Sequence, residues 1–401
     1  MTRPETPISA AFGHAALAHW PLDPGLLYLN HGTVGVTPRR VIEAQRRICD
    51  EIEREPARFQ LRELATGQPG APPGPPRLRR AAAVVAEFVG AREADLAFVD
   101  NATTGANAVL RSFPFAAGDE VLVTQLGYGA VTNAARHAAS ERGATVRVVE
   151  IPYPVRDPAD CVAAIVGAVA SRTRLAIVDH VTSESALVLP VREIVAGLKA
   201  RGVAVLVDGA HSPGALDLDL PSIGADWYTA NLHKWACAPR SCGFLWAPAE
   251  RQAGLHPAVI SWGYCKSFLD EFDLVGTRDP SPMLAAPEGI AFMRELGLES
   301  MREYQRELAW ETGQILTRRW GTTLVTPRSM IGSMITVPLP ERAGAVAADA
   351  QKLRDTLLYE DRIEVQMHAQ QGRLWARISA QVYVEIADIE RLADRVLERI
   401  R

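Results

Sequence analysis

The stretch from Val203 to Trp246, VAVLVDGAHSPGALDLDLPSIGADWYTANLHKWACAPRSCGFLW, constrains this chain more than any other. A β-branched apolar run (Val203, Val205, Val207) ends in Asp208, and His211 follows three residues later. A second apolar segment (Trp227, Tyr228) leads to Asn231, His233 and Lys234. An acid at the carboxyl end of a buried strand, with a lysine downstream between His and Trp, suits a pyridoxal phosphate site. The pyridine nitrogen of that cofactor must stay protonated for its ring to draw electrons, and a buried carboxylate supplies the counter-charge. The lysine must form a Schiff base and later move protons at a substrate Cα, which calls for a lowered amine pKa.

The surrounding pattern supplies a scaffold for such a site. Strands are expected at Leu96–Val99, Glu120–Thr124, Val146–Ile151, Leu175–Asp179, Val203–Val207, Trp227–Ala230 and Gly243–Trp246. Helices are expected between them at Arg77–Val89, Thr103–Arg111, Ala130–Arg142, Ala159–Ala170 and Val191–Arg201. That alternation predicts an α/β domain with a mainly parallel seven-stranded sheet and helices on both faces. Ligands of such sheets sit beyond the carboxyl ends of the strands, where Asp208 falls. After about Pro280 the pattern changes to long helices (Met283–Leu296, Ser300–Arg319), strand-like Met334–Val337, Ile363–Gln366 and Leu374–Ile378, and a closing helix at Ile386–Ile400. This reads as a smaller α+β domain. The predicted division is 1–30 as an N-terminal arm, 31–280 as the large domain and 281–401 as the small one. Gly67–Pro76 is a Pro/Gly-dense loop, too short to link domains.

Composition excludes other classes. A length of 401 residues supports two domains, and a net charge of −4 leaves no large basic face for nucleic acid. No apolar run approaches the ~20 residues of a membrane span, and the N-terminus lacks the apolar core of a signal peptide. Five scattered cysteines fit a reducing cytoplasm. His233, Cys237 and Cys242 form one loose cluster without the paired knuckles of structural zinc, so no metal is expected.

Other segments add candidates. Asn101–Asn107 (NATTGAN) follows a strand and opens a helix, where free N–H groups and the dipole make an anion site; the alternative is ordinary capping by Thr103 or Thr104. Arg377 stands on an apolar strand pattern and is hard to explain there without an acid partner. Gly276–Pro280 (GTRDP) is turn-like, and a local turn capped by Asp279 would account for it.

DGAH and NLHKW, with YLNHGTVG at Tyr28–Gly35 and RISAQVY at Arg377–Tyr383, resemble the class V aminotransferase group of fold-type I pyridoxal phosphate enzymes, in its isopenicillin N epimerase-like branch. The resemblance spans nearly the whole chain. It implies Lys234 as the Schiff-base lysine, Asp208 as the pyridinium partner and His211 as a contact to the cofactor's phenolic oxygen. It implies Thr103, Thr104 and His233 around the phosphate, Tyr128 stacked on the ring, and Thr277 reaching the phosphate of a neighbouring subunit in a homodimer with shared sites. Arg377 would clamp a substrate α-carboxylate, with Asn30 and His31 bordering it. The first ~30 residues would pack on the small domain. Ser183 stands where many relatives carry Asn, and Val384 departs likewise. The expected partner is a small-molecule amino-acid substrate, with no nucleic acid and no membrane. After Cα deprotonation, epimerisation, loss of sulfur or transamination remain open, as does a non-catalytic cofactor-binding protein. The absence of cysteine between Lys266 and Arg401 leads to one exclusion: not a cysteine desulfurase.

Overall fold

A computed structural model describes residues 12–65 and 70–401. The start of the N-terminal arm, with the stretch weighed as a signal peptide, and the first residues of the Gly67–Pro76 loop lie outside them. The strands are β1 (Leu27–Tyr28), β2 (Leu96–Val99), β3 (Glu120–Thr124), β4 (Thr145–Val149), β5 (Thr173–Asp179), β6 (Ala204–Asp208), β7 (Trp227–Asn231), β8 (Gly243–Trp246), β9 (Met334–Pro338), β10 (Ile363–Glu364), β11 (Gln366–Gln370) and β12 (Arg373–Ser379). Seven of them make one sheet in the order β2-β8-β7-β6-β5-β3-β4, with β8 alone running against the others. This is the mainly parallel α/β sheet that the alternating pattern predicts.

Why the apolar runs lack alternation becomes clear from the core. Val205 and Val207 belong to one hydrophobic cluster and Leu206 to another, and Ala176 and Val178 divide from Leu175 and Ile177 in the same way. Side chains of a strand alternate between faces, so a sheet covered on both sides needs apolar residues at every position. One face packs on helices Arg77–Phe88, Pro158–Gly167 and Val191–Lys199, the other on Ala102–Ser112 and Gly129–Ser140. All parallel strands end on one edge, and there β5 and β6 place Asp179 and Asp208 as paired neighbours.

The C-terminal part builds a three-stranded antiparallel sheet, β11-β12-β9, backed by helices Leu298–Trp320, Ala347–Tyr359 and Ile386–Arg399. The single strand expected at Ile363–Gln366 is in fact two. Ile363–Glu364 pairs in parallel with β1, whereas Gln366–Gln370 pairs antiparallel with β12, so the chain changes sheets at Val365. An apolar pattern cannot report which partner each half finds. Helix Arg39–Arg54 was missing from the expected elements, although Val41, Ala44, Ile48 and Ile52 recur at helical spacing on its inner side.

Residues 12–30 lie against the C-terminal elements. The Gly13 N–H donates to the Val382 carbonyl, His14 lies 2.9 Å from the Asp388 carboxylate, and Phe12 packs on Tyr304. Trp20 is the anchor: it is 1% exposed, its ring meets Phe292 and Tyr383 edge-on at 5.4 and 5.0 Å, and its Nε1 donates to the Val36 carbonyl. Trp20→Ala removes this ring from a closed core and should cost about 3–5 kcal/mol. Urea unfolding followed by fluorescence of the other tryptophans checks it; an unchanged midpoint would show that the segment is only laid on the surface.

Candidate active site

Lys234 reaches its place because two strands end side by side. β6 brings Asp208 to the carboxyl edge, β7 brings Asn231, and the chain leaves β7 through His233 into Lys234. Backbone grips this loop from both sides. A Cβ on Gly35 (φ 67°) would overlap the His233 carbonyl oxygen, and one on Gly214 (φ 91°) would overlap that of Trp235. Glycine alone suits both positions, since each backbone is left-handed and the space is taken. His31 is wholly buried behind the same loop, one ring nitrogen 3.1 Å from the Lys234 carbonyl oxygen and the other 3.1 Å from the Tyr383 hydroxyl. It lines neither cavity described below; its position braces the lysine loop.

The Lys234 Nζ lies 3.1 Å from His211 Nε2. Burial, and then the charge of Arg377, lowers the amine to about 7 against an upward pull from Asp208 and Asp179. His211 is neutral, held well below its usual range by burial and by Lys234. Its Nδ1 is buried without a partner. The Asp208 carboxylate accepts from the Ala210 N–H at 3.0 Å and is pushed upward by burial. Asp179, absent from the sequence-based candidates, is 5% exposed and is pushed well upward by burial and by the neighbouring Asp208. Two carboxyls this close in a dry site do not readily ionise together.

A cavity of about 540 Å³ opens above Asp208 and Lys234. Thr103, Thr104, Tyr128, Ser183, His233 and Arg240 line it. Helix Ala102–Ser112 starts at its wall, tied to β7 by the Ala102 N–H donating to Asn231 Oδ1 at 2.8 Å. Asn101 caps this helix, accepting from the Thr104 N–H at 2.9 Å, so the capping role considered for the threonines falls to their neighbour. His233 Nδ1 lies 2.9 Å from the Cys242 carbonyl oxygen and Cys237 Sγ contacts that of Trp235, and among the described residues no three His, Cys, Asp or Glu side chains are placed to hold a metal. Tyr128 stands 46% exposed at the rim.

A second cavity of about 440 Å³ shares Thr33, Tyr128, Ser183, His211 and Lys234 with the first and is bounded by Arg377. Arg377 is 3% exposed, and all three of its hydrogen bonds go to neutral oxygens: Ser183 carbonyl at 2.6 Å, Asn30 Oδ1 at 3.1 Å and Thr33 Oγ1 at 2.6 Å. Burial lowers this guanidinium to about 10, and its Nε has no partner. Asn30 is fixed in turn by donating to Glu364 at 2.7 Å. Ser183 thus meets Arg377 through its backbone. Thr277 is exposed and lines neither cavity of its own chain, while Asp279 caps the local turn by accepting from the Ser281 N–H and hydroxyl.

The model of the family described as aminotransferase class-V matches residues 76–392. This chain belongs to the class V aminotransferase family. The putative L-cysteine desulfhydrase 1 of Oryza sativa subsp. japonica is 36% identical, across 98% of this chain and 87% of that protein. The isopenicillin N epimerase of Streptomyces clavuligerus is 35% identical across 93% and 94%. Among solved structures, the apo cysteine desulfurase of Thermococcus onnurineus NA1 has the same fold, with a TM-score of 0.79 and 18% identity over 98% of this chain and 99% of that one. The resemblance and the fold-type I architecture therefore stand, and the cofactor of this class V enzyme is pyridoxal 5′-phosphate. The exclusion of a cysteine desulfurase does not stand, because relatives carry the name L-cysteine desulfhydrase and the fold is shared with cysteine desulfurases. A missing small-domain thiolate bears on only one way of breaking a C–S bond. It leaves untouched those in which sulfur departs from Cβ with the bonding electrons.

The residues present fit the cofactor. Asp208 is a buried carboxylate suited to a pyridinium, the orphaned His211 ring nitrogen is a free polar group at the same floor, and the helix N-terminus beside Thr103 suits a phosphate. The charges imply a titration that can be read without turnover. In the apoenzyme, acylation of Lys234 should follow a midpoint near pH 7, as its amine pKa is lowered to about 7. Arg377→Gln removes a repelling cation and should move that midpoint up; Asp208→Asn removes an attracting anion and should move it down. Peptide mapping after timed acylation across pH measures both shifts. A midpoint near that of surface lysines would show that Lys234 is not enclosed.

Proposed function

We propose that this enzyme takes a proton from the Cα of an amino acid, with Lys234 as the base, and that the substrate then loses a sulfur group from its side chain or is reprotonated with inversion. The observation that carries this is Arg377, a buried guanidinium bonded only to neutral oxygens, in the cavity that adjoins Lys234. An α-carboxylate satisfies it with a two-pronged contact and so presents Cα to the lysine. Asn30 and Thr33 hold the guanidinium in place. Pyridoxal phosphate, when bound, supplies an electron sink for the charge left at Cα. Asp208 would hold its ring nitrogen protonated, Thr103, Thr104 and His233 its phosphate, and Tyr128 one face of its ring. A neutral His211 beside the amine keeps Lys234 oriented without adding charge. The lowered amine pKa leaves a useful fraction of free base near neutrality. Loss of sulfur follows the L-cysteine desulfhydrase relatives, and inversion follows the isopenicillin N epimerase ones.

The purified holoenzyme, given L-cysteine and a panel of other amino acids, should exchange the Cα hydrogen in deuterated water. Pyruvate, ammonia and sulfide would identify sulfur loss, and falling optical activity would identify inversion. Lys234→Ala should slow exchange by 10²–10⁴-fold or more, the usual contribution of a positioned base. Exchange at the wild-type rate in this variant would remove Lys234 from the reaction.

We further propose a homodimer with shared sites, residues 31–280 and 281–401 as the two domains, and a cytoplasmic home. The exposed Thr277 and the exposed apolar side chains of Val259, Ile260 and Trp262 support the first, and five unpaired cysteines support the last. No helix among the described residues is long and apolar enough to cross a membrane. If Thr277 serves the neighbouring site, mixing Lys234→Ala chains with Thr277→Ala chains should restore part of the activity that each lacks. Absence of any restoration in a mixture shown to contain hybrid dimers would confine each site to one chain.

A further inference from the structure

One charged side chain of the second cavity is left unused by the steps above. Residues 181–188 form a tight hairpin. Val181 and Val188 make an antiparallel bridge, the Thr182 N–H donates to the Leu187 carbonyl, and Ala186 takes the left-handed conformation (φ 56°) in the turn. The small sheet grips the tip of this hairpin twice. Arg377 of β12 donates to the Ser183 carbonyl, and Thr336 of β9, paired with Arg377 across the sheet, donates through its hydroxyl to the Glu184 carbonyl, each at 2.6 Å. The backbone at Glu184 is therefore fixed, and its side chain lines the cavity. Glu184 is the only acid among the described residues that do so, while Lys234 and Arg377 stand there as basic residues beside the neutral His211. Its carboxylate accepts no hydrogen bond among the described residues; burial pushes it upward and the Arg377 guanidinium pulls it down.

We propose that Glu184 selects the substrate's side chain, and that the group it selects is a cation. The assignment rests on the α-carboxylate of the proposed amino-acid substrate occupying Arg377. In the empty cavity Glu184 and Arg377 draw on each other across the cavity wall without a direct ion pair. A bound α-carboxylate answers the charge of Arg377 and leaves Glu184 as an anion with no partner. The α-amine of the substrate is taken up at the cofactor, so a cation that meets Glu184 belongs to the side chain. An ammonium or guanidinium there supplies both the opposite charge and N–H donors, and a hydrogen bond to a charged group is about twice as strong as a neutral one. A hydrocarbon end offers the carboxylate nothing, and a second carboxylate is repelled by it. A cavity of about 440 Å³ has room for a side chain of several carbons beyond Cα. Because the hairpin tip is tied to Arg377 itself, the carboxylate and the guanidinium keep a fixed spacing, so the two ends of the substrate are read together.

The test follows the cofactor absorbance of the wild-type holoenzyme near neutrality as matched pairs of L-amino acids are titrated in, with L-alanine as the reference. S-(2-Aminoethyl)-L-cysteine and S-propyl-L-cysteine have nearly one shape, as do L-arginine and L-citrulline, and only the first of each pair carries a side-chain cation. The cationic member of at least one pair should half-saturate at a concentration about tenfold below its neutral partner, the worth of a hydrogen bond to a charged group. Glu184→Gln and Glu184→Ala, made separately so that one folding failure does not decide the matter, should bring that ratio close to one while L-alanine still binds. No preference in either pair of the wild type would show that Glu184 only balances the charge of Arg377, and overturns the proposal. So does a preference that survives in both variants. A spectrum that no amino acid changes, L-alanine included, overturns instead the reading that Arg377 receives an amino acid, and the role of Glu184 falls with it.

Discussion

Everything in this molecule is arranged around charge in a dry place. Asp179, Asp208, Lys234 and Arg377 are two acids and two bases brought to one edge of the sheet, and burial disfavours the charged form of each of them. Their signs nearly cancel, which is what allows such a cluster to exist. Their placement does the rest. Arg377 depresses the lysine from the substrate side, and the carboxyls support it from the cofactor side, so the amine rests near neutrality. Removing the charge on either side changes the proton affinity of this amine.

That balance depends on backbone. Asp179 and Asp208 are neighbours because β5 and β6 are parallel, adjacent and in register, and both strands stop at the same level. Lys234 stands over them because the next strand, β7, delivers the chain to the same edge and because Gly35 and Gly214 let two other segments close on its loop. Arg377 comes from the opposite side, on β12 of the small sheet, and is aimed by Asn30 and Thr33 of the N-terminal turn. Three separate parts of the chain therefore converge on one amine.

How much of this could be read beforehand follows from the kind of signal each residue carries. Six of the seven large-sheet strands were legible because a strand buried on both faces has to be apolar throughout, β4 at the sheet edge being mostly exposed, and β2, β3 and β8 begin and end where the pattern places them. That Lys234, Asp208 and His211 meet at one cavity was legible because each follows a strand that ends at the same edge. Asp179 was missed although Leu175–Val178 ends in an acid just as Val203–Val207 does; what gives it meaning is pairing with Asp208, and pairing is not written in either segment. His31 was taken for a substrate neighbour, yet its ring turns inward to the Lys234 carbonyl, a choice made by packing against Trp235 and Tyr383. The exclusion of desulfuration failed for another reason. It inferred a missing reaction from a missing residue, when more than one electron path breaks the same bond.

The two cavities explain why a single fold can serve relatives with different names. The first is closed on the cofactor side by elements of the large sheet, and its residues answer to a cofactor that does not change. The second takes part of its wall from β11, at one edge of the small sheet, through Gln366 and Gln370. Met367 and Ala369 hold that strand in place against the core. Lys234 and His211 line both cavities, and Arg377 bounds the second. The amine is thereby reached from two sides, by the large sheet that ends beneath it and by the small sheet that brings Arg377.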